Sequence, residues 1–209
     1  MMGSRPSQPE CLAGFEHINR YWDRTHSSWI AKILPGEYYV TTQPDEIVAT
    51  TLGSCVSACI RDKIMGIGGM NHFMLPLRGE HAGDSWMSSA TRYGSYAMEH
   101  LINDILKNGG NRANLEVKLT GGGQIMANMS DVGSGNIAFV LEYLQIENLD
   151  VIVQDLGDIY PRKVMYYPAT GQLRVKKLRS IHNETLIQRE KTYQSELDVR
   201  PDSGGIELF

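Results

Sequence analysis

From residue 34 onward the apolar and polar positions fall into short runs, each closed by turn formers. Glu37-Tyr38-Tyr39-Val40 and Glu46-Ile47-Val48-Ala49-Thr50-Thr51-Leu52 predict two strands separated by Gln43-Pro44-Asp45. Val56-Ser57-Ala58-Cys59-Ile60 and the run from Ile67 to Leu75 predict two more, joined at the polar bend Arg61-Asp62-Lys63. The period then lengthens. Tyr93, Tyr96, Ala97, Leu101 and Ile105 recur at helical spacing, with Ser88, Ser89 or Thr91 as the cap and Lys107-Asn108-Gly109-Gly110 as the end. Leu115, Val117 and Leu119 alternate as a strand running into Gly121-Gly122-Gly123, and Ile137, Val140, Leu141 and Leu144 mark a second amphipathic helix starting near Ser134. Val151-Ile152-Val153 predicts a buried strand, and 163–167 with 172–176 a hairpin closed by Pro168-Ala169-Thr170-Gly171.

The two ends read differently. Residues before about 30 carry isolated aromatics, Phe15, Tyr21, Trp22 and Trp29, without a period that defines a core element. They read as an appendage whose Trp22 and Trp29 cover an apolar face of the domain. From Ile181 a polar helical stretch runs to about Leu197, and Pro201-Asp202-Ser203-Gly204-Gly205 leads to the apolar end Ile206-Glu207-Leu208-Phe209, read as a solvated tail. The expected organisation is therefore an extension over 1–33, a domain over 34–180, and a C-terminal helical segment and tail over 181–209. Strands followed by mixed strands and helices give an α/β class.

Composition narrows the function. With 209 residues, 42% of them hydrophobic, the chain can bury its own core as one globular domain. Against 20 Lys and Arg stand 24 Asp and Glu, a net charge of −4, so no basic excess exists to neutralise phosphates and nucleic acid is not an expected partner. No apolar run reaches membrane-helix length and the start lacks a signal-peptide core, so the expectation is a cytoplasmic protein without membrane insertion. Three cysteines, Cys11, Cys55 and Cys59, are too few and odd in number for a disulfide scaffold.

Chemistry concentrates where Leu52-Gly53-Ser54-Cys55 precedes Met70-Asn71-His72-Phe73. A free thiol is only slightly ionised at neutral pH, and an imidazole within reach raises that fraction. A hairpin bend centred on Lys63-Ile64 sets Cys55 directly opposite His72, with Cβ atoms about 4.5–5.5 Å apart. Cys59 lies on the same face but about 13 Å further along the strand, which keeps it from sharing His72 and disfavours a metal held by Cys55, Cys59 and His72. Gly53 either frees backbone N–H groups to face an oxyanion or marks a bulge. The alternative for Cys55, Cys59 and His72 is simple burial as core residues.

Leu52-Gly53-Ser54-Cys55-Val56 together with Gly69-Met70-Asn71-His72-Phe73-Met74-Leu75-Pro76 resembles the CheD family of bacterial chemotaxis proteins, the chemoreceptor glutamine deamidases. The likeness continues through Gly121-Gly122-Gly123, Asn136, Asp155-Leu156-Gly157, Arg162-Lys163-Val164 and Thr170-Gly171-Gln172-Leu173, covering about residues 34–178. It implies a layered α/β sandwich of mixed sheet with two main helices, like the catalytic domain of cytotoxic necrotizing factor toxins. It also implies a cofactor-free hydrolase that turns glutamine side chains of methyl-accepting chemoreceptors into glutamate, with a CheC-like phosphatase as regulatory partner. By resemblance Cys55 is the nucleophile and His72 the base and acid; in the reaction this implies, backbone N–H groups around Gly53, Ser54 and Cys55 are expected to hold the oxyanion. The family's third residue is a hydroxyl six positions before the cysteine, where this chain has Ala49, followed by Thr50 and Thr51. Strand alternation puts Thr51 on the face of Cys55, whereas a bulge at Gly53 brings Thr50 round instead. Ala49 keeps a non-catalytic adaptor that binds receptors or a CheC-like protein as the alternative, and a receptor methylesterase would use the same thiol chemistry.

Overall fold

A computed structural model describes residues 6–76, 84–125, 130–179 and 184–199. In chain order the strands are β1 (Asn19–Asp23), β2 (Ser28–Lys32), β3 (Tyr38–Thr41), β4 (Glu46–Leu52), β5 (Val56–Asp62), β6 (Gly68–Asn71), β7 (Leu115–Gly121), β8 (Val151–Leu156), β9 (Arg162–Tyr167) and β10 (Gln172–Lys177). The helices are α1 (Asp84–Lys107), α2 (Ser130–Ile146) and α3 (Glu184–Val199). Five strands form one sheet in the order β1-β2-β4-β9-β10, and five form a second in the order β3-β6-β5-β7-β8. Both are mixed, because β2 runs parallel to β4 and β7 parallel to β8 while their other pairings are antiparallel.

Alternation decides which face of each strand is inside. Val48 and Leu52 of β4 and Val164 and Tyr166 of β9 point into the main core, which they share with Val56, Ala58 and Ile60 of β5. Ile47 and Ala49, one residue out of phase, join Ile30 in a smaller cluster against Met165 and Tyr167. Helix α1 packs on β3, β5 and β6 and helix α2 on β5, so the helices cover the second sheet and the chain is a layered α/β sandwich as expected. Among the described residues no helix is long and apolar enough to cross a membrane.

The stretch read as an appendage contributes to the sandwich. Hairpin β1–β2 extends the first sheet, Phe15, Ile18, Ala31 and Ile33 enter the main core, and Trp22 packs edge-on to Trp29 at 6.0 Å between ring centroids. A buried carboxylate ties this hairpin to both sheets. Glu46 of β4 accepts from Arg20 Nε (2.7 Å), Tyr39 Oη (2.9 Å) and Thr41 Oγ1 (2.6 Å), so a charge that would be costly alone is fully bonded. Both long helices start earlier than the sequence suggests. Helix α1 begins at Asp84, which puts Ser88, Ser89 and Thr91 inside it rather than at its cap. Helix α2 begins at Ser130, its first turn disguised by Gly133 and Gly135, which are poor helix formers. Gly133 is there for space: a Cβ would sit 2.6 Å from Gly122 O. The tail Ile206-Glu207-Leu208-Phe209 lies outside the described residues.

Candidate active site

Between β4 and β5 the chain turns through Gly53-Ser54-Cys55, and every carbonyl of that turn is taken. Gly123 N–H donates to Gly53 O (2.8 Å), Asn136 Nδ2 to Ser54 O (2.9 Å) and Gly122 N–H to Cys55 O (2.7 Å). The same Asn136 accepts from Leu75 N–H (2.8 Å), so one buried side chain of α2 joins the cysteine turn to the segment after His72. Gly121, at φ +116°, passes so close that a Cβ would lie 2.2 Å from Cys55 O. With the carbonyls drawn off, the N–H groups of Gly53 and Ser54 converge on the opposite side, the arrangement of an anion cradle.

A carboxylate fills that cradle. Glu190 of α3, 1% exposed, accepts from Gly53 N–H (2.8 Å) and Ser54 N–H (3.0 Å) on Oε1, and from Ser54 N–H (3.0 Å) and Ser54 Oγ (2.7 Å) on Oε2. A Cβ on Gly53 would stand 2.5 Å from Glu190 Oε1 and 2.4 Å from Ile125 Cδ1, so glycine is required here for close approach. Complete burial pushes the Cys55 thiol well above its ordinary range, and the nearby Glu190 charge adds to the rise.

His72 is fixed from its other side. Thr50 Oγ1 donates its single proton to Ile33 O (2.9 Å) and lies 2.8 Å from His72 Nδ1. It can therefore only accept from that ring nitrogen, which places the proton of neutral His72 on Nδ1 and leaves a lone pair on Nε2. Nε2 is buried without a hydrogen-bond partner among the described residues. Burial holds the His72 pKa down to about 3, so the ring is neutral. A cavity of about 20 Å³, enough for one water-sized molecule, lies among Thr50, Thr51, His72 and Glu190.

The hairpin register corrects the expected facing of Cys55 and His72. The pairs are Cys59 with Met70, Ile60 with Gly69 and Arg61 with Gly68, continued by Val56 with Phe73, which sets His72 opposite Ser57 and Cys55 two residues away on the diagonal. By sheet geometry diagonal neighbours are about 7–8 Å apart, and no hydrogen bond joins the two side chains. The cause is Asp62. Its Oδ1 accepts from Ile64 N–H (2.7 Å) and Met65 N–H (2.9 Å), and Gly66 at φ +71° completes a longer loop than a bend at Lys63-Ile64 would need.

Of the two threonines, Thr50 is the one in contact with His72. Thr51 lines the small cavity but faces away from the core with Ala49 and Ile47, the other phase of β4. Ala49 thus sits on the far face of the strand from His72. Cys59, fully buried with its thiol pushed up by desolvation, belongs to the core. Two participants carried no role in the sequence reading. Asn136 lies within the stretch of family likeness, and its signal is a polar residue on the apolar face of α2. Glu190 is one carboxylate among many on a polar helix, 136 residues from its partner Ser54, and nothing local marks it.

The family described as CheD chemotactic sensory transduction matches residues 74–177. A protein of Halorhodospira halophila named probable chemoreceptor glutamine deamidase CheD is 54% identical over 204 residues, 96% of this chain and 94% of that protein. Proteins of the same name from Hahella chejuensis and Methylobacillus flagellatus are 48% and 53% identical, covering 96% and 91% of this chain and 95% of each relative.

Proposed function

The chain belongs to the CheD family, and from that premise we propose that it is a chemoreceptor glutamine deamidase in which Cys55, His72 and Thr50 carry the chemistry. The observation that carries the assignment of residues is the pair of N–H groups on Gly53 and Ser54 converging beside the Cys55 thiol, with a histidine whose free lone pair is fixed by Thr50. Such a pair stabilises the oxyanion that forms when a thiolate adds to a carboxamide carbon.

In the first half-reaction His72 Nε2 takes the Cys55 proton and the sulfur adds to the side-chain carboxamide carbon of a receptor glutamine. The tetrahedral oxyanion rests on Gly53 N–H and Ser54 N–H. Collapse breaks the C–N bond, and the proton on Nε2 leaves with ammonia. In the second half-reaction water gives its proton to Nε2, its oxygen adds to the thioester, and the C–S bond breaks to release glutamate and the thiol. Thr50 keeps Nε2 free for both transfers by accepting from Nδ1. The diagonal separation of Cys55 and His72 in the resting chain closes when the thiol turns toward the imidazole; catalytic hydrogen bonds are commonly long before substrate is bound.

Incubation with a cytoplasmic chemoreceptor fragment, read by peptide mass spectrometry, tests the reading. Conversion of glutamine to glutamate is expected from the wild type and none from Cys55→Ala. Conversion by Cys55→Ala would remove Cys55 as the nucleophile. A regulatory CheC-like phosphatase belongs to the same proposal, and its absence from co-purification with the isolated partner would withdraw it.

A further inference from the structure

Helix α3 brings a glutamate to the place where the proposed reaction makes one. One face of the helix is turned inward: Glu190, Tyr193, Gln194 and Leu197 are buried, a spacing of three and four residues, while Gln188, Arg189, Lys191, Thr192, Ser195 and Glu196 are exposed. The seat is narrow. Tyr193 rests on Gly36, where a Cβ would meet its hydroxyl at 2.7 Å, and hydrogen-bonds to Tyr93 of α1. Leu34 and Pro35 of the β2–β3 connection line the groove beside it. Glu190 meets only donors, two backbone N–H groups and the Ser54 hydroxyl, which matches the acceptor-only character of a carboxylate. A structural helix gains little by burying a charge beside a thiol it hinders, when an apolar residue would pack there without that penalty.

We propose that α3 is a built-in product mimic: it occupies the groove that receives a substrate helix, with Glu190 standing where the target glutamine becomes glutamate. This rests on the deamidase reading and extends it in two ways. The substrate is taken as an intact α-helix presenting its glutamine from one face, and the folded chain is self-occluded until such a helix displaces α3. In the resting state Cys55 is fully buried and the cradle beside it is filled by Glu190, so the nucleophile is covered and has no free oxyanion site. Displacement returns Cys55 to His72 and empties the cradle for the carboxamide oxygen.

Two readouts test it on the full chain. The first is the rate of Cys55 alkylation by iodoacetamide, mapped by peptide, in wild type, Glu190→Ala and the milder Tyr193→Phe, with buried Cys59 as the internal monitor of unfolding. A rise of at least about tenfold at Cys55 in Glu190→Ala, a smaller rise in Tyr193→Phe and none at Cys59 are expected. An unchanged Cys55 rate in both variants overturns the proposal, and so does a parallel rise at Cys59 in both, which makes α3 part of the fold rather than a removable occupant. The second readout uses Glu190→Gln, which turns α3 into a substrate in cis: Cys55 adds to the new carboxamide, ammonia leaves, water hydrolyses the thioester, and position 190 gains about 1 Da as it returns to glutamate. The double variant with Cys55→Ala keeps its glutamine. Glutamine persisting at 190 in a protein that still converts receptor glutamines overturns the product position alone. Failure to convert either, with Cys55 alkylation still raised, overturns the deamidase reading together with the mimicry and leaves only the covering of Cys55.

Discussion

Removing the His72 imidazole should change how the protein responds to acid, by an amount the burial of the ring sets. In the unfolded chain the ring titrates near 6.5, whereas in the folded chain burial holds it down to about 3. Below pH 6.5 the unfolded state takes up a proton that the native state refuses, so this residue lowers stability as pH falls; above pH 6.5 both states are neutral and it contributes no pH dependence. One pH unit is worth about 1.4 kcal/mol once the unfolded ring is protonated, which amounts to about 2 kcal/mol lost between pH 8 and pH 5. Urea denaturation at those two pH values, for wild type and His72→Gln, isolates this contribution because the other five histidines are common to both. Wild type should lose about 2 kcal/mol more than the variant over that range. Equal losses would refute the buried neutral imidazole, and with it the argument that His72 offers a free lone pair as base.

Two further substitutions probe what holds the site. Thr50→Val strips the acceptor from His72 Nδ1–H and should lower kcat on a receptor fragment by roughly tenfold or more, with Thr50→Ser largely restoring it; a valine variant of native turnover would end the role given to the hydroxyl. Asn136→Ala leaves Ser54 O without its donor and Leu75 N–H without its acceptor, two buried groups whose loss should cost about 2–4 kcal/mol in urea denaturation, and a change below about 0.5 kcal/mol would mean that the cysteine turn is held by the glycine loop alone.

Local patterning made most strands and the existence of all three helices legible, because the alternation in β4 and the helical spacing in α1 are carried by neighbouring residues. The pairing of Cys55 and His72 was legible only to within two residues. Which residues face each other depends on how Asp62 folds the loop over its carboxylate, and the bend Arg61-Asp62-Lys63 reads as polar whichever length it adopts. The choice between Thr50 and Thr51 needed the phase of β4, fixed by Val48 and Leu52 entering the main core while Ile47 and Ala49 do not. Hairpin β1–β2 was missed because it is short and β1 is polar; its place is secured by pairing with β4 and by the distant contact of Arg20 with Glu46. Glu190 lay furthest from reach, since its partners are backbone groups and no sequence pattern advertises which N–H groups a carboxylate will find.

The carbonyl of Ile33 has a consequence for where this protein can be cut. It lies one residue past β2 and is the atom that takes the Thr50 proton, and so it decides which nitrogen of His72 is left bare. A fragment trimmed to begin at residue 34 would keep Cys55, His72 and Thr50 in sequence yet free the hydroxyl to rotate and donate to the ring, favouring the tautomer that blocks the base. The proton inventory of the proposed reaction therefore reaches back to the residue after the N-terminal hairpin, and a minimal active version is expected to be bounded by that bond rather than by Cys55, His72 and Thr50 themselves.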